Sequence, residues 1–297
     1  MPRAATVVIP THDHGPTLLR SVRSAMEQTV GDIEIVVVGD GAPDVTRSLM
    51  ASLVAEDSRV RYLDNPKGER LGEVHRRVAL RDTTGEVVCY LCDDDLWLPG
   101  HVAAMLDLLG DADIAHSLPV GVDEHGDAFV WRVDLSEEAD QRLHLEGHNR
   151  VPLSCFAHTR SAYERLPEGW RPGPATLPSD LHFYQQFLRQ PWCRAVSGRR
   201  ATSVHFPSPL RTGWSEQERL DELDRWRARL RDDPAGLFED LVDHLDAELV
   251  AHARQASEVQ AYARSLEAHA AQLEAHQREV AAYVRGLEGE LARRVAR

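Results

Sequence analysis

Four runs of β-branched and apolar residues alternate with helical patterns over the first hundred positions. The runs cover residues 5–9, 33–38, 60–63 and 87–92. Near-continuous apolar strands of this kind are typical of a sheet that is covered on both faces. Apolar residues at helical spacing separate them, behind Pro16 and again behind Pro43. The alternation predicts βαβ crossovers, and therefore an α/β fold with a mostly parallel, Rossmann-like sheet flanked by helices.

The pattern becomes less regular after Cys92. A helix is predicted around residues 102–109, and an irregular stretch rich in His, Gly and Pro extends to Leu177. Such a stretch is typical of loops that face a substrate. Short strands are predicted at 114–117, 129–133, 194–196 and 202–205, with a helix at 180–188.

The C-terminal part of the chain has a different pattern. No proline follows Pro234, and apolar or small residues repeat at a four-three spacing that predicts a coiled coil, interrupted by His252 and Gln277. The positions are Phe238, Val242, Leu245, Leu249, Val259, Ala263, Leu266, Ala270, Leu273, Val280, Val284, Leu287 and Leu291. We expect a catalytic domain over 1–210, a helical linker over 211–235 and a coiled-coil tail over 236–297 that forms a homo-oligomer. A long helix folded back on the domain is the alternative, because a seam does not identify its partner.

Composition excludes several classes of function. The 297 residues include 34 Lys and Arg against 48 Asp and Glu, a formal charge of −14, which is unsuited to binding a nucleic-acid backbone. We find neither a signal-peptide pattern nor an apolar run that is long enough to span a membrane, so the expected location is the cytoplasm. Cys89 and Cys92 form a C-x-x-C within a predicted strand, where an offset of three directs the two side chains to opposite faces. They are not expected to form a metal or redox site.

An acidic cluster follows the fourth predicted strand. Asp93, Asp94 and Asp95 come at the carboxyl end of that strand, where open α/β sheets bind ligands. Three adjacent carboxylates repel one another unless a cation lies among them, and Mn²⁺ or Mg²⁺ together with a diphosphate meets that need. A solvated acidic turn that caps the next helix is the alternative.

A further acidic residue, Asp40, ends the second predicted strand. Its carboxylate could accept hydrogen bonds from a nucleotide base or ribose, or it could be a turn residue between two glycines. Trp97 is expected to pack in the interior. His144 and His148 are expected to be solvated, because Gly147 interrupts their helical spacing and no third metal ligand is evident.

Taken together, the ordered motifs resemble the family 2 glycosyltransferases, which have a GT-A fold. The motifs are Val8-Ile9-Pro10-Thr11, Val36-Val37-Val38-Gly39-Asp40-Gly41 and Gly85 to Pro99 with its three aspartates. The resemblance covers roughly residues 4–210. It implies transfer of a sugar from a nucleotide-diphosphate donor to a hydroxyl of a glycan or small-molecule acceptor, with inversion at the anomeric carbon.

The resemblance also implies roles for individual residues. Pro10, Thr11 and Asp40 would hold the nucleobase and ribose, and Asp93 to Asp95 would form the D-x-D-type metal and diphosphate site. The predicted donor-binding set is Pro10, Thr11, Asp40, Arg76, Asp93 and Asp94, and the predicted metal ligands are Asp94, Asp95 and His205. His205 could equally be a structural histidine at a strand end.

Inverting transfer needs a base that takes the proton of the acceptor hydroxyl. Asp180 resembles the family's catalytic aspartate, although an acidic residue after Pro178 and Ser179 is also a common helix cap. The chain departs from the family pattern at Gly39, at Cys92 and at the Arg76-Arg77 pair.

These departures motivate a second hypothesis, a non-catalytic scaffold with a transferase-like domain oligomerised by the coiled coil. A sugar-1-phosphate nucleotidyltransferase is a weaker alternative. That class has a glycine-rich loop after its first strand, where this chain has Pro10 to Gly15.

Overall fold

A computed structural model describes the backbone of residues 3–295 and the side chains of residues 3–274, 277 and 278. The strands are β1 (Ala5–Thr11), β2 (Ile33–Asp40), β3 (Val60–Asn65), β4 (Val87–Tyr90), β5 (Leu96–Trp97), β6 (Ile114–His116), β7 (Val120–Val122), β8 (Ala128–Val130), β9 (Phe156–Thr159), β10 (Ala195–Ser197) and β11 (Ser203–Val204). The helices are α1 (Gly15–Met26), α2 (Asp44–Glu56), α3 (Glu73–Arg81), α4 (His101–Leu109), α5 (Glu138–Leu145), α6 (Arg160–Glu164), α7 (Ser179–Leu188), α8 (Glu216–Asp232) and α9 (Pro234–Val295).

A seven-stranded sheet forms the centre of the fold, in the order β10-β6-β9-β4-β1-β2-β3. Within it β9 runs antiparallel to both neighbours, and the other pairs are parallel. The buried residues of β1 divide between two hydrophobic clusters, with Val7 and Ile9 in one and Val8 in the other. Both faces of the sheet are therefore covered, which confirms the predicted α/β architecture.

The helices contribute apolar faces to these two clusters. In α1, Leu18 and Val22 are fully buried behind Pro16, as the spacing predicts. In α3 the buried face differs from the apolar pattern: Val78 is 44% exposed, whereas Glu73 and Arg76 are buried. This helix turns a charged face inward because Arg76 lines a cavity at the edge of the sheet.

A third cluster contains the two small sheets, β11-β5 and β7-β8, together with α8 and the start of α9. Leu237 and Leu241 are buried in it, at 0% and 4% exposure. Arg211 and Glu222 form a buried ion pair beside it, with Nε 2.6 Å from Oε2. The first residues of α9 therefore belong to the core of the domain.

The chain divides into two compact units, Met1–Leu241 and Val242–Arg297. The described part of the second unit is helical, and its apolar side chains are exposed, including Val242 at 62% and Leu249 at 68%. Val280, Val284, Leu287 and Leu291 of the predicted seam lie outside the residues whose side chains the structure describes. The predicted domain boundaries and the coiled coil stay predictions.

Trp97 and His144 are both buried, although only the first was expected to be. Trp97 is 3% exposed and donates from Nε1 to the Ser154 carbonyl at 2.8 Å, so its predicted packing role is confirmed. The expectation that His144 is solvated is wrong: it is fully buried, because α5 packs against α7. His148 is exposed, as expected.

Candidate active site

The carboxyl ends of β1 and β2 meet the segment after β4 at one edge of the sheet. The parallel register pairs Pro10 with Val38 and Thr11 with Gly39, so the two strands end side by side. A cavity of about 170 Å³ opens there. Five of the six predicted donor-binding residues line it, namely Pro10, Thr11, Asp40, Arg76 and Asp93. The cavity therefore joins motifs that are more than eighty positions apart in the chain.

Asp40 is held in its ionised form at the end of β2. Lys67 donates from Nζ to Oδ2 at 2.5 Å, and the Gly68 amide donates to Oδ1 at 2.6 Å. Burial acts to raise the pKa of Asp40, but these two hydrogen bonds outweigh it and the pKa is lowered. The result is a fixed carboxylate at the cavity wall that can accept hydrogen bonds.

Gly39, where the family usually has an acidic residue, has a packing explanation. A Cβ atom at this position would lie 2.7 Å from the Tyr62 hydroxyl and 3.1 Å from the Leu63 carbonyl oxygen. The tyrosine of β3 occupies the space that a side chain would need. The glycine at position 39 therefore leaves room for the side chain of Tyr62.

Asp93 of the acidic turn lines the cavity, and Asp94 lies next to it. Asp93 bonds to His14, with Oδ1 2.8 Å from Nδ1, and this contact raises the pKa of His14 to about 9. Ser208 donates its hydroxyl proton to Asp94 Oδ2 at 3.1 Å. Burial, and then the neighbouring Asp95 and Asp93 carboxylates, raise the pKa of Asp94 to about 7. Negative charge at Asp94 is therefore only partly compensated by the protein itself.

Asp95 has a different environment, because protein donors satisfy both of its oxygens. Ser154 donates to Oδ2 at 2.5 Å, the Phe206 amide donates to Oδ1 at 2.9 Å, and His205 Nδ1 lies 3.0 Å from each oxygen. Burial alone would raise the pKa of Asp95, but these partners lower it. Asp95 thereby fixes the ring of His205. The Nδ1 atom is used in this pair, and the Nε2 atom is not.

The residues around Asp94 fit a cation site. Ligand atoms of His14, Asp93 and Asp94 lie within 4.8 Å of one another, as do those of Cys92, Asp94 and Asp95. Asp94 belongs to both groups, and oxygen ligands suit Mg²⁺ or Mn²⁺. After burial, the repulsion among the carboxylates raises the pKa of Asp94, and a cation would relieve that repulsion.

The two cysteines point to opposite faces of the sheet, as predicted. Cys89 lies in one hydrophobic cluster, and Cys92 packs against the other. Cys92 lies directly before the acidic turn, and burial raises the pKa of its thiol.

Arg76 is a buried cation at the cavity wall with hydrogen-bonding capacity to spare. It is 5% exposed, and its Nη2 donates to the Leu71 carbonyl at 2.5 Å. Its Nε and Nη1 atoms have no hydrogen-bond partner in the described part of the chain. The guanidinium lies 4.5 Å from the centre of the Trp170 ring, and burial lowers its pKa. Unsatisfied buried donors on a cation are suited to an anionic ligand.

Asp180 lies in the first turn of α7 and is not the residue that caps this helix. The cap position is Pro178, and no side chain caps there. Asn149 donates to Asp180 Oδ2 at 2.9 Å, and the Leu181 amide donates to Oδ1 at 2.8 Å. Burial raises the pKa of Asp180, while the charge of Arg76 acts to lower it. Asp180 is not among the residues that line the cavity, and its charge contributes less than those of Asp95 and Asp94 to the raised pKa of His205.

Several residues of the site were not predicted, among them His14, Ser154 and Ser208. Each contacts an aspartate of the acidic turn from a distant part of the chain. Lys67 was not predicted either, and it pairs with Asp40. Isolated Ser and His residues carry no pattern that sequence periodicity can detect.

Comparison with known families agrees with this arrangement. Residues 6–166, more than half of the chain, match the description Glycosyl transferase family 2. The chain belongs to this family. Within the glycosyltransferase, the matched segment contains Asp40, Arg76 and the complete acidic turn, and Asp180 and His205 lie beyond it.

Curated relatives of this glycosyltransferase include two bacterial enzymes. GalNAc(5)-diNAcBac-PP-undecaprenol beta-1,3-glucosyltransferase of Campylobacter jejuni is 29% identical over 106 residues, which are 36% of this chain and 34% of the relative. The Escherichia coli UDP-Glc:alpha-D-GlcNAc-diphosphoundecaprenol beta-1,3-glucosyltransferase WfgD is 25% identical over 104 residues, 35% of this chain and 40% of the relative. The match thus spans less than half the length of either protein.

Solved structures share the fold. TarS 1-349 of S. aureus in complex with UDP-GlcNAc has a TM-score of 0.54 at 18% identity, covering 81% of this chain and 71% of that one. The mannosyltransferase PcManGT of Pyrobaculum calidifontis, in complex with GDP-Man and Mn²⁺, has a TM-score of 0.50 at 17% identity, covering 84% and 76%. The predicted fold and family are confirmed.

Proposed function

We propose that this protein is an inverting, metal-dependent glycosyltransferase that moves a sugar from a nucleotide-diphosphate sugar to a hydroxyl of a glycan or small-molecule acceptor. The observation that carries the proposal is the single cavity lined by Asp40, Arg76 and Asp93, with Asp94 next to it in the acidic turn. At one edge of the sheet, the fixed carboxylate of Asp40 fits the base of such a donor. The buried guanidinium of Arg76 fits its diphosphate, and the cluster of aspartates fits the metal ion.

The donor is assigned to the two strand ends and to α3. Pro10, Thr11 and Asp40 hold the base and ribose, with the carboxylate of Asp40 accepting hydrogen bonds from N–H or O–H groups. The unpartnered Nε and Nη1 of Arg76 contact the diphosphate. TarS and PcManGT bind UDP-GlcNAc and GDP-Man, respectively, which supports a uridine or guanosine diphosphate sugar here.

The cofactor is Mn²⁺ or Mg²⁺, held by Asp94 and by Nε2 of His205. Asp95, whose oxygens already accept three kinds of donor, contributes to the predicted metal set mainly by fixing the histidine ring. A bound divalent cation neutralises the charge that develops on the leaving diphosphate. The Mn²⁺ in the PcManGT complex supports this choice of metal.

Asp180 is assigned as the base. Its pKa is raised by burial, which brings the carboxylate closer to the pH at which it must take a proton, and Asn149 fixes one of its oxygens. The acceptor hydroxyl lies on this side of the cavity. The names of the two bacterial relatives give diphosphoundecaprenol-linked glycans, and a saccharide hydroxyl is the acceptor class that we propose.

We further propose that the C-terminal helix joins two copies of the chain, since its apolar seam is exposed. No helix within the described residues has the length and apolar character needed to cross a bilayer. The cytoplasmic location stays an expectation.

A nucleotide-release assay tests the proposed reaction. We expect Mn²⁺- or Mg²⁺-dependent release of UDP or GDP from at least one of UDP-glucose, UDP-GlcNAc and GDP-mannose, abolished in Asp94→Ala and retained in the exposed control Asp111→Ala. Absence of release from all three donors, or an Asp94→Ala variant as active as the wild type, would contradict the proposal. Donor binding without release would favour the scaffold hypothesis.

A further inference from the structure

The helix beyond Leu241 presents an apolar stripe to solvent. Val259 is 62% exposed, Leu266 50% and Leu273 52%. They are seven residues apart and belong to the same four-three pattern as Val242 and Leu249. A stripe of this period buries itself against another helix. This inference rests on the proposed association of two copies of the chain. In such a dimer, the residues of the stripe also determine whether the two helices run parallel or antiparallel.

The stripe is not uniform along its length. The stripe uses two positions in each heptad. In three successive heptads one of these positions is an alanine, and the other is a larger apolar residue. The alanines are Ala256, Ala263 and Ala270, and the larger residues are Val259, Leu266 and Leu273. Two polar residues interrupt the stripe, His252 before this region and Gln277 after it.

A parallel dimer in register uses this pattern poorly. Each residue then faces its own copy, so the three alanine layers bury little apolar surface and leave the helices loosely packed. The polar residues form separate His252–His252 and Gln277–Gln277 layers.

An antiparallel dimer uses the same pattern well. When the second helix is reversed about the point between Arg264 and Ser265, His252 faces Gln277, so that both polar interruptions share a layer at each end. Every alanine then faces a larger residue, in the pairs Ala256–Leu273, Ala263–Leu266 and Ala270–Val259. Small residues opposite large ones give layers of even volume.

The polar layer also fixes the register. A shift of one heptad in either direction places His252 against Val284 or Ala270, and Gln277 against Val259 or Leu245. Either shift buries imidazole and amide groups without a partner, which disfavours it. In the single chain His252 has only a distant contact, with Nε2 3.8 Å from Glu248 Oε2, so it is available to pair.

We propose that residues 252–277 of two copies of this chain form an antiparallel coiled coil in the register that pairs His252 with Gln277. The two domains of the dimer are then attached to opposite ends of the helical pair.

Disulfide trapping in the full-length chain tests the direction. Ala256→Cys and Leu273→Cys are prepared separately, and the wild type controls for the four native cysteines, two of which are buried. A mixture of the two variants should form a covalent dimer on oxidation, because the two positions face each other. Neither variant alone should do so, because the reversed helix displaces residue 256 from its own copy by about 26 Å at a rise of 1.5 Å per residue.

A double-mutant cycle tests the register independently. His252→Leu and Gln277→Leu should each weaken dimerisation in sedimentation equilibrium, and the double variant should bind at least about tenfold more tightly than the sum of the two effects predicts. In a parallel dimer the two positions lie in separate layers, so their effects would add. Additive effects, or a covalent dimer of Ala256→Cys alone, would overturn the proposal.

Light scattering separates this result from the proposed reaction. A monomeric mass for the wild type would overturn the dimer and its direction together, while nucleotide release would still report on catalysis.

Discussion

The domain and the C-terminal helix show the same apolar spacing but differ in what it contacts. In α1, Leu18 and Val22 are fully buried against the sheet. In α9 beyond Leu241, Leu249 and Leu266 are 68% and 50% exposed. The periodicity of a helix therefore indicates which face will be covered but not by which partner. The sheet supplies that partner for α1, and the proposed dimer would supply it for the exposed stripe of α9.

Two buried arginines of the domain differ in whether their hydrogen-bond donors have partners. Arg211 is buried and fully engaged with Glu222, whereas Arg76 is buried with unpartnered donors. Unpartnered donors on Arg76 distinguish the site, whereas exposed apolar side chains distinguish the tail. Substitutions in the site should therefore affect turnover, those in the core should affect the stability of the domain, and those in the tail should affect dimerisation. The largest effect is expected at the proposed base.

Asp180→Asn should lower metal-dependent nucleotide turnover by about 10²–10⁴-fold, because the amide cannot take the acceptor's proton. Nucleotide affinity in calorimetry should stay close to that of the wild type. The exposed Glu138→Gln variant is the matched control. Turnover within about twofold of the wild type would remove Asp180 from the catalytic role.

Leu18→Ala should lower the free energy of unfolding of the domain by about 2–5 kcal/mol, since it leaves a cavity in the core. Leu266→Ala should change that value by less than about 0.5 kcal/mol and weaken dimerisation instead. Chemical denaturation and analytical ultracentrifugation measure the two effects. Equal losses of domain stability in the two variants would contradict the difference between the domain and the tail.

Asp94→Asn should raise the stability of the metal-free protein at pH 8 by up to about 4 kcal/mol, because the pKa of Asp94 is raised in the folded state and its ionised form is therefore destabilising there. Asp95→Asn should have the opposite effect. The pKa of Asp95 is lowered, so its stabilising contribution is present above the ordinary carboxyl pKa and is lost as pH falls through the lowered value. Thermal unfolding with EDTA measures both, and a change of the same sign in the two variants would contradict the assignment.

Mn²⁺ affinity should fall as pH is lowered through about 7, the pKa of Asp94 in the metal-free protein. Protons compete with the metal below this value, with a loss of up to about tenfold per pH unit. Calorimetric titrations at pH 6, 7 and 8 follow it. An affinity that is constant over this range would mean that Asp94 does not bind the metal.

Sequence reasoning predicted the parts of the fold that depend on local pattern. The strands that end at Thr11 and Asp40 and the acidic turn after β4 were placed at one sheet edge by their order alone, since parallel strands share an edge. The burial of Glu73 in α3 was not predicted, because charged residues are usually exposed, whereas Arg76 was predicted at the donor site and lines the cavity.

The contacts among distant residues were beyond the sequence pattern. Ser154 and His205 reach Asp95 from the loop before β9 and from the end of β11, and the geometry of these contacts arises only when the sheet is assembled. The division of labour among Asp93, Asp94 and Asp95 likewise depends on their three-dimensional partners, which three adjacent and identical residues cannot reveal.

The central claim is that Asp40, Arg76 and Asp94 converge on one metal-dependent donor site. Calorimetric titration of UDP and GDP into the wild type, Asp94→Asn and the exposed control Asp111→Asn, each with Mn²⁺ and with EDTA, tests it most directly. The account predicts that one nucleotide binds more tightly with Mn²⁺, and that only Asp94→Asn loses this gain. Binding that is equally strong in EDTA, or a gain that survives in Asp94→Asn, would contradict it.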